Sequence, residues 1–289
     1  MTAAFVILAH RKPEQVARLA NRLAPHHVFV HIDINVDDSL YSEFCRLLEN
    51  LPHVTLIKRH RSAWASWGIV AAVLEGIKTA LDQAPWTHVM VISGQDYPLM
   101  SSSQMEDFFN QHIGQSFLAH WYLPSKLWGG DGGMYRVKYW HTPFKGRRVF
   151  IPIPRRQPKG IKHVGGSMFS CLSREMANEV ISFTQREPEI TNFYKHVWIP
   201  DELFISTVVM NSAYKDSVIG ESLSYIRWSN PGSPHPDELK IEDAPELIRA
   251  GKDGSKVGGY GRKKLFARKV YIENHSQLLD ALDQAAKNE

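Results

Sequence analysis

The residues best suited to chemistry in this 289-residue chain fall in a few short blocks. The segment Arg262-Lys263-Lys264-Leu265-Phe266-Ala267-Arg268-Lys269 places five cations in eight positions. Two phosphate groups entering a partly desolvated site need compensation of that kind, and arginine can supply it bidentately. The apolar Leu265, Phe266 and Ala267 can anchor a strand while Arg268 and Lys269 face a ligand. The same block also reads as a solvated basic stretch or a nucleic-acid contact. Pro200-Asp201-Glu202 puts two carboxylates at a helix start. Acids are common there because they meet the positive end of the helix dipole. A carboxylate so placed can also act as a general base.

The elements that would carry these residues follow from hydrophobic period. Ala4–Ala9 reads as a buried strand ending at His10-Arg11, and Pro13 opens a helix with Val16, Leu19, Ala20 and Leu23 on one face. Residues 28–33 form a second strand ending at Asp33. Asp38-Ser39 caps a second helix, residues 54–57 form a third strand, and residues 67–81 a long third helix. Residues 88–93 form a fourth strand, ending in Ser93-Gly94-Gln95-Asp96. Strands alternating with helices predict an α/β fold with a mostly parallel, Rossmann-like sheet. Ligands bind such sheets at the carboxyl ends of the strands, here at His10, Arg11, Asp33, Ser93, Gly94 and Asp96.

The second half is less regular. Ser103-Gln104-Met105-Glu106 has capping-box spacing, 121–166 reads as long loops and edge strands, and Ser173 begins another helix. Residues 225–228 form a strand, 251–261 a glycine-rich lid, and about 276–286 a closing helix. With no repeat and no linker, one domain over 1–289 is expected. Residues 1–100 would be its nucleotide-binding half and 101–289 its acceptor half.

Composition narrows the class. An apolar share of 43% and a charged share of 22% exclude a disordered or low-complexity chain. The net charge of +4 is too mild for a typical nucleic-acid binder. There is no Walker loop, no GxGxxG after the first strand, no HExxH, no GxSxG and no Asp-x-Asp. Cys45 and Cys171 are too few for a disulfide framework and are expected as buried free thiols. No apolar run spans a bilayer and Met1 leads straight into a strand pattern, so the expected location is cytoplasmic. Peripheral attachment to the inner membrane stays open.

Seven blocks, in order, resemble those of the core-2/I-branching β-1,6-N-acetylglucosaminyltransferases and peptide O-xylosyltransferases. They are Ala9-His10-Arg11-Lys12, His31-Ile32-Asp33, Trp67-Gly68, Ser93-Gly94-Gln95-Asp96-Tyr97-Pro98-Leu99, Leu172-Ser173-Arg174-Glu175, Pro200-Asp201-Glu202 and Phe266-Ala267-Arg268-Lys269. The resemblance implies a GT-A-type fold and inverting transfer from a UDP-sugar with no metal or other cofactor. The missing Asp-x-Asp and the cationic block agree with that. It also implies roles. Glu202 is the general base, and Arg268 and Lys269 neutralise the departing diphosphate. His10, Arg11 and Asp33 lie near the nucleoside, Ser93, Gly94 and Asp96 near the donor, and Trp228 lines the sugar subsite.

The chain departs from the family at Gly165-Gly166-Ser167-Met168, where many members carry an aromatic. The stretch 229–239 is closer to the xylosyltransferase side. UDP-N-acetylglucosamine is the expected donor and UDP-xylose the alternative. The acceptor would be a glycan or lipid-linked glycan, with Trp121, Trp128 and Tyr135 as stacking candidates. Two non-catalytic alternatives are a nucleotide- or polyanion-binding module and a lapsed sugar-binding protein.

Overall fold

A strand covered on both faces needs apolar side chains on both, and the near-continuous apolar runs of the first hundred residues form such strands. The computed structural model describes residues 2–144, 147–230, 233, 235–255 and 262–287. Its first half alternates β1 (Ala4–Ala9), α1 (Pro13–Arg22), β2 (His27–Ile32), α2 (Asp38–Leu48), β3 (Val54–Leu56), α3 (Trp67–Gln83) and β4 (His88–Ser93). β4, β1, β2 and β3 lie side by side and parallel. Pro13 occupies the first turn of α1, where its missing N–H costs nothing. The cap of α2 is Asp37, one residue before the expected Asp38, and its carboxylate accepts from the Leu40 N–H at 2.9 Å.

The chain continues through β5 (Tyr97–Pro98), α4 (Ser102–Gln111), β6 (Ser116–Phe117) and β7 (His120–Tyr122). The capping box of α4 is Ser101 with Gln104, two residues earlier than the Ser103–Glu106 spacing suggests. Next come α5 (Tyr135–Lys138), β8 (Tyr139–Phe144), β9 (Arg147–Pro154), β10 (Val164–Gly166), β11 (Cys171–Ser173), α6 (Arg174–Arg186) and α7 (Pro188–Tyr194). Ser173 caps α6 as expected. The last elements are α8 (Phe204–Asn211), β12 (Val218–Ile219), β13 (Ser224–Ile226), α9 (Ala244–Lys252), β14 (Phe266–Arg268) and α10 (Ile272–Lys287).

The main sheet has the order β12-β6-β11-β4-β1-β2-β3 and is parallel except for β11, which runs antiparallel to both β4 and β6. Successive side chains of a strand point to opposite faces, and the core divides accordingly. Val6, Phe29, Val89 and Val91 pack with Val70, Val73 and Ile77 of α3 and with residues of α6 and α8. Phe5, Ile7, Val28, Val30 and Ile92 pack with α1, α2 and α4 on the other side. A second sheet, β13-β14-β5, shares a third apolar cluster with α9 and α10. The expected mixed α/β architecture is therefore present. No described helix is long and apolar enough to cross a membrane. Cys171 is buried, whereas Cys45 is only half-buried. The expected lid falls largely on residues 256–261, outside the described residues.

Candidate active site

The carboxyl ends of β1, β2 and β4 open on a cavity of about 880 Å³. β1 supplies His10, Arg11 and Lys12, β2 supplies Asp33, and β4 supplies Ser93, Gly94 and Gln95. The segment before α3 adds Ser62 and Trp64. Arg268, Lys269 and Tyr271 close the wall that follows β14, and His235 also lines the cavity. A buried glutamine joins the two halves of this wall. Gln15 of α1 donates to the carbonyls of Gly94 (2.7 Å) and Val270 (2.9 Å) and accepts from the Ile272 N–H at 2.8 Å.

The basic block divides by function. Leu265, Phe266 and Ala267 are fully buried, as an anchoring strand requires. Lys264 is buried as well and donates to the Ser222 carbonyl at 2.8 Å, while Arg262 pairs with Glu221. Only Arg268 and Lys269 of the five cations reach the cavity. Arg268 lies over the Phe169 ring and donates to Ser93 Oγ (2.7 Å) and Asp96 Oδ2 (2.8 Å). Asp96 Oδ2 also accepts from the Ser93 N–H and hydroxyl. Asp96 itself is fully buried and does not line the cavity, so its contribution is to fix Arg268. Arg11 donates to the Tyr271 hydroxyl at 3.0 Å. Burial, Arg268 and Arg11 together pull the Lys269 ammonium down. Burial and Arg11 likewise hold His10 below the usual histidine range, and Lys269 does the same to His235. These shifts share one cause, the crowding of Arg11, Arg268 and Lys269 on one wall.

The opposite wall is held by backbone bonds. Asp33 accepts from the N–H groups of Asn35 (2.7 Å) and Ser62 (3.1 Å), tying the loop after β2 to the segment before α3. Arg59 donates to the carbonyls of Asp33 and Val36 on the same loop. Burial, with His60 next to it, pushes His31 down to about 4, so it is neutral and accepts from the His60 N–H. At Gly68 a Cβ would overlap the Arg61 carbonyl, so glycine here lets the segment carrying Ser62 and Trp64 fold across the start of α3.

Glu202 lies outside the cavity lining, in a short 3₁₀ turn Pro200–Glu202 rather than in a regular α-helix. Its Oε2 accepts from Arg136 at 2.7 Å, and Arg136 lies 3.8 Å from the Trp128 ring centre. Trp128 meets Trp121 edge-on at 5.3 Å. Gly165 makes that pairing possible, because a Cβ there would come within 2.6 Å of Trp128 and 2.7 Å of Trp121 Nε1. Trp121 of β7 and Trp128 thus occupy the space over Gly165. Burial, then Glu202, raises the Asp201 carboxyl to about 7, and its buried Oδ1 has no partner among the described residues. Trp64 of the cavity packs edge-on against Trp198, whose N–H donates to the Arg136 carbonyl. The cavity and the Glu202 cluster are therefore neighbours. The described non-glycine residues with positive φ are Lys12, Ala65 and Ile199, each beside a segment of this site. Such strain concentrates at functional positions.

The structure thus brings His10, Arg11, Asp33, Ser93, Gly94, Arg268 and Lys269 to one cavity, and Trp121 and Trp128 to the Glu202 cluster. Tyr135 instead packs edge-on against His141. Trp228 is 48% exposed beyond β13 and does not line the cavity. Tyr271, Trp64, Gln15 and Arg136 were not expected at the site. Trp64 and Tyr271 lie in irregular segments, Arg136 in the one-turn helix α5, and Gln15 on α1. No described group of three or more His, Cys, Asp or Glu residues could hold a metal ion.

The mostly parallel central sheet with its flanking helices is that of a GT-A-like α/β fold. A family model described as Core-2/I-Branching enzyme matches residues 3–249, and the chain belongs to that family. The match ends before β14. Among similar proteins, xylosyltransferase sqv-6 of Caenorhabditis briggsae is 23% identical over 225 residues, 75% of this chain and 27% of that protein. Human xylosyltransferase 1 is 23% identical over 242 residues, covering 78% and 24%. Drosophila melanogaster xylosyltransferase oxt is 25% identical over 277 residues, covering 85% and 30%. The chain spans 24–30% of the length of these relatives.

Proposed function

We propose that the protein is an inverting, metal-independent glycosyltransferase that moves N-acetylglucosamine from UDP-N-acetylglucosamine to a hydroxyl of a glycan or lipid-linked glycan. The acceptor oxygen attacks the anomeric carbon, the bond from that carbon to UDP breaks, and the hydroxyl proton passes to the Glu202 carboxylate. Arg268 and Lys269 compensate the charge that develops on the departing diphosphate. The observation that carries this reading is the cationic wall of Arg11, Arg268 and Lys269 at the carboxyl ends of the parallel strands. The cavity volume lies in the range of small-molecule sites. The free thiols suit a cytoplasmic setting. A UDP-xylose donor is the second reading, favoured by the names of the relatives.

Thermal unfolding in EDTA with UDP, UDP-N-acetylglucosamine, UDP-xylose, UDP-galactose, UDP-glucose and a GDP-sugar tests the donor. A ligand at 100 times its dissociation constant adds about 2.7 kcal/mol. The largest shift is expected with UDP-N-acetylglucosamine, and a larger one with UDP-xylose moves the assignment to that sugar. No UDP-dependent shift, with or without manganese, would overturn the reading. Glu202→Gln should keep the shift and lose about 10²–10⁴-fold in turnover at saturating donor. Near-normal turnover would remove Glu202 as the base.

A further inference from the structure

The hairpin β8–β9 forms a two-stranded sheet of its own. A hairpin in water normally hides one face, yet Phe150, Ile151, Pro152, Ile153 and Pro154 are all exposed in succession. Phe150 is 43% and Ile153 62% exposed. Since neighbouring strand residues point to opposite faces, both faces of β9 show apolar surface to solvent. A run of that length without a charge marks an interaction surface.

The hairpin is nonetheless firmly rooted. Arg155 at its base donates to the carbonyls of Phe193 (2.8 Å) and His196 (3.0 Å) and lies over the Trp140 and Phe193 rings. The His141 N–H donates to the same His196 carbonyl.

Charge is segregated along this part of the sequence. Ten of the chain's 34 Lys and Arg residues, and none of its 30 Asp and Glu residues, fall between Gly132 and Arg174. The rest of the chain is net acidic, with 24 cations against 30 acids. Lys138, Arg156, Lys159 and Lys162, which flank the hairpin in sequence, are exposed.

We propose that the β8–β9 hairpin is a membrane-docking wedge, with Phe150, Ile151 and Ile153 entering an anionic phospholipid surface and the surrounding cations meeting its headgroups. A single strand, β9, that shows apolar side chains on both faces suits a deformable medium better than a second folded surface. Pro152 and Pro154 offer no N–H donors, which disfavours strand addition by another chain. Trp140 and Tyr139 are residue types suited to headgroup depth, and long cationic side chains can reach the phosphates from there. The inference stands apart from the transfer reaction and would hold if the donor assignment failed.

Co-sedimentation of the full chain with phosphatidylcholine vesicles, with or without phosphatidylglycerol, tests it without any nucleotide sugar. Binding is expected only with phosphatidylglycerol and should weaken with salt. Ile151→Ser/Ile153→Ser should bind about tenfold less while melting at the wild-type temperature. Arg156→Gln/Lys159→Gln/Lys162→Gln should also lose binding. Absence of wild-type binding overturns the proposal, as does full binding by the serine variant. Equal binding of wild type and serine variant to single-stranded RNA, with no vesicle binding, would instead make the hairpin a polyanion site.

Discussion

Arg268 has two tasks where Lys269 has one. It faces the cavity, and it also satisfies the buried Asp96 carboxylate. Removing one partner of a buried pair leaves the other charge uncompensated, at a cost of about 3–5 kcal/mol. Lys269 lines the same cavity, where burial and the neighbouring Arg268 and Arg11 disfavour its charge, so removing it leaves no buried charge uncompensated. Arg268→Ala should therefore lose both UDP binding and thermal stability. Lys269→Ala should lose UDP binding with stability within about 0.5 kcal/mol of wild type. Melting curves with and without UDP separate the two. Equal destabilisation by both substitutions would mean that Asp96 does not depend on Arg268.

The elements matter chiefly through what they let the loops do. α3 begins with Trp67-Gly68, and at Gly68 the Arg61 carbonyl occupies the space a side chain would need. The segment so admitted gives its Ser62 N–H to Asp33 and places Trp64 on the cavity wall. Gly68→Ala must push that segment away, at about 1–3 kcal/mol for overpacking. The expected result is a lower melting temperature together with weaker UDP stabilisation, since Asp33 loses a bond and Trp64 its seat. A variant that melts lower but keeps the full UDP shift would show that this segment does not form the donor wall.

At the scale of the whole molecule, the fold disfavours ionisation of the Asp201 carboxyl. Burial and the adjacent Glu202 raise Asp201 from its ordinary 3.8 to about 7. A group raised in the folded state contributes stability that is fully present below pH 3.8 and is lost as pH rises through 7. Its share of that change is on the order of 1–4 kcal/mol. Asp201→Asn cannot ionise, so its stability should fall less than that of the wild type between pH 4 and pH 7.5. Chemical denaturation at the two pH values measures the difference. Parallel curves would place the Asp201 carboxyl in water rather than in the interior.

The layered α/β architecture was legible in local pattern, because apolar runs of strand length and helices of 3.6 period are what burial on two faces enforces. The sequence also located the cavity's strand-end residues, since His10, Arg11, Asp33 and Ser93 each terminate a parallel strand. Cap positions were off by a residue or two at Asp37 and Ser101, because neighbouring Asp and Ser residues compete for the same role. Only the tertiary structure decided which of five clustered cations face a ligand. Lys264 and Arg262 were taken by Ser222 and Glu221, residues some forty positions away. The pairing of Glu202 with Arg136, sixty-six positions earlier, was equally beyond local pattern. So was the gathering of Tyr271, Gln95 and Arg11. Periodicity records which side of an element is buried, whereas partners brought together by chain crossings depend on packing between elements that no short stretch of sequence contains.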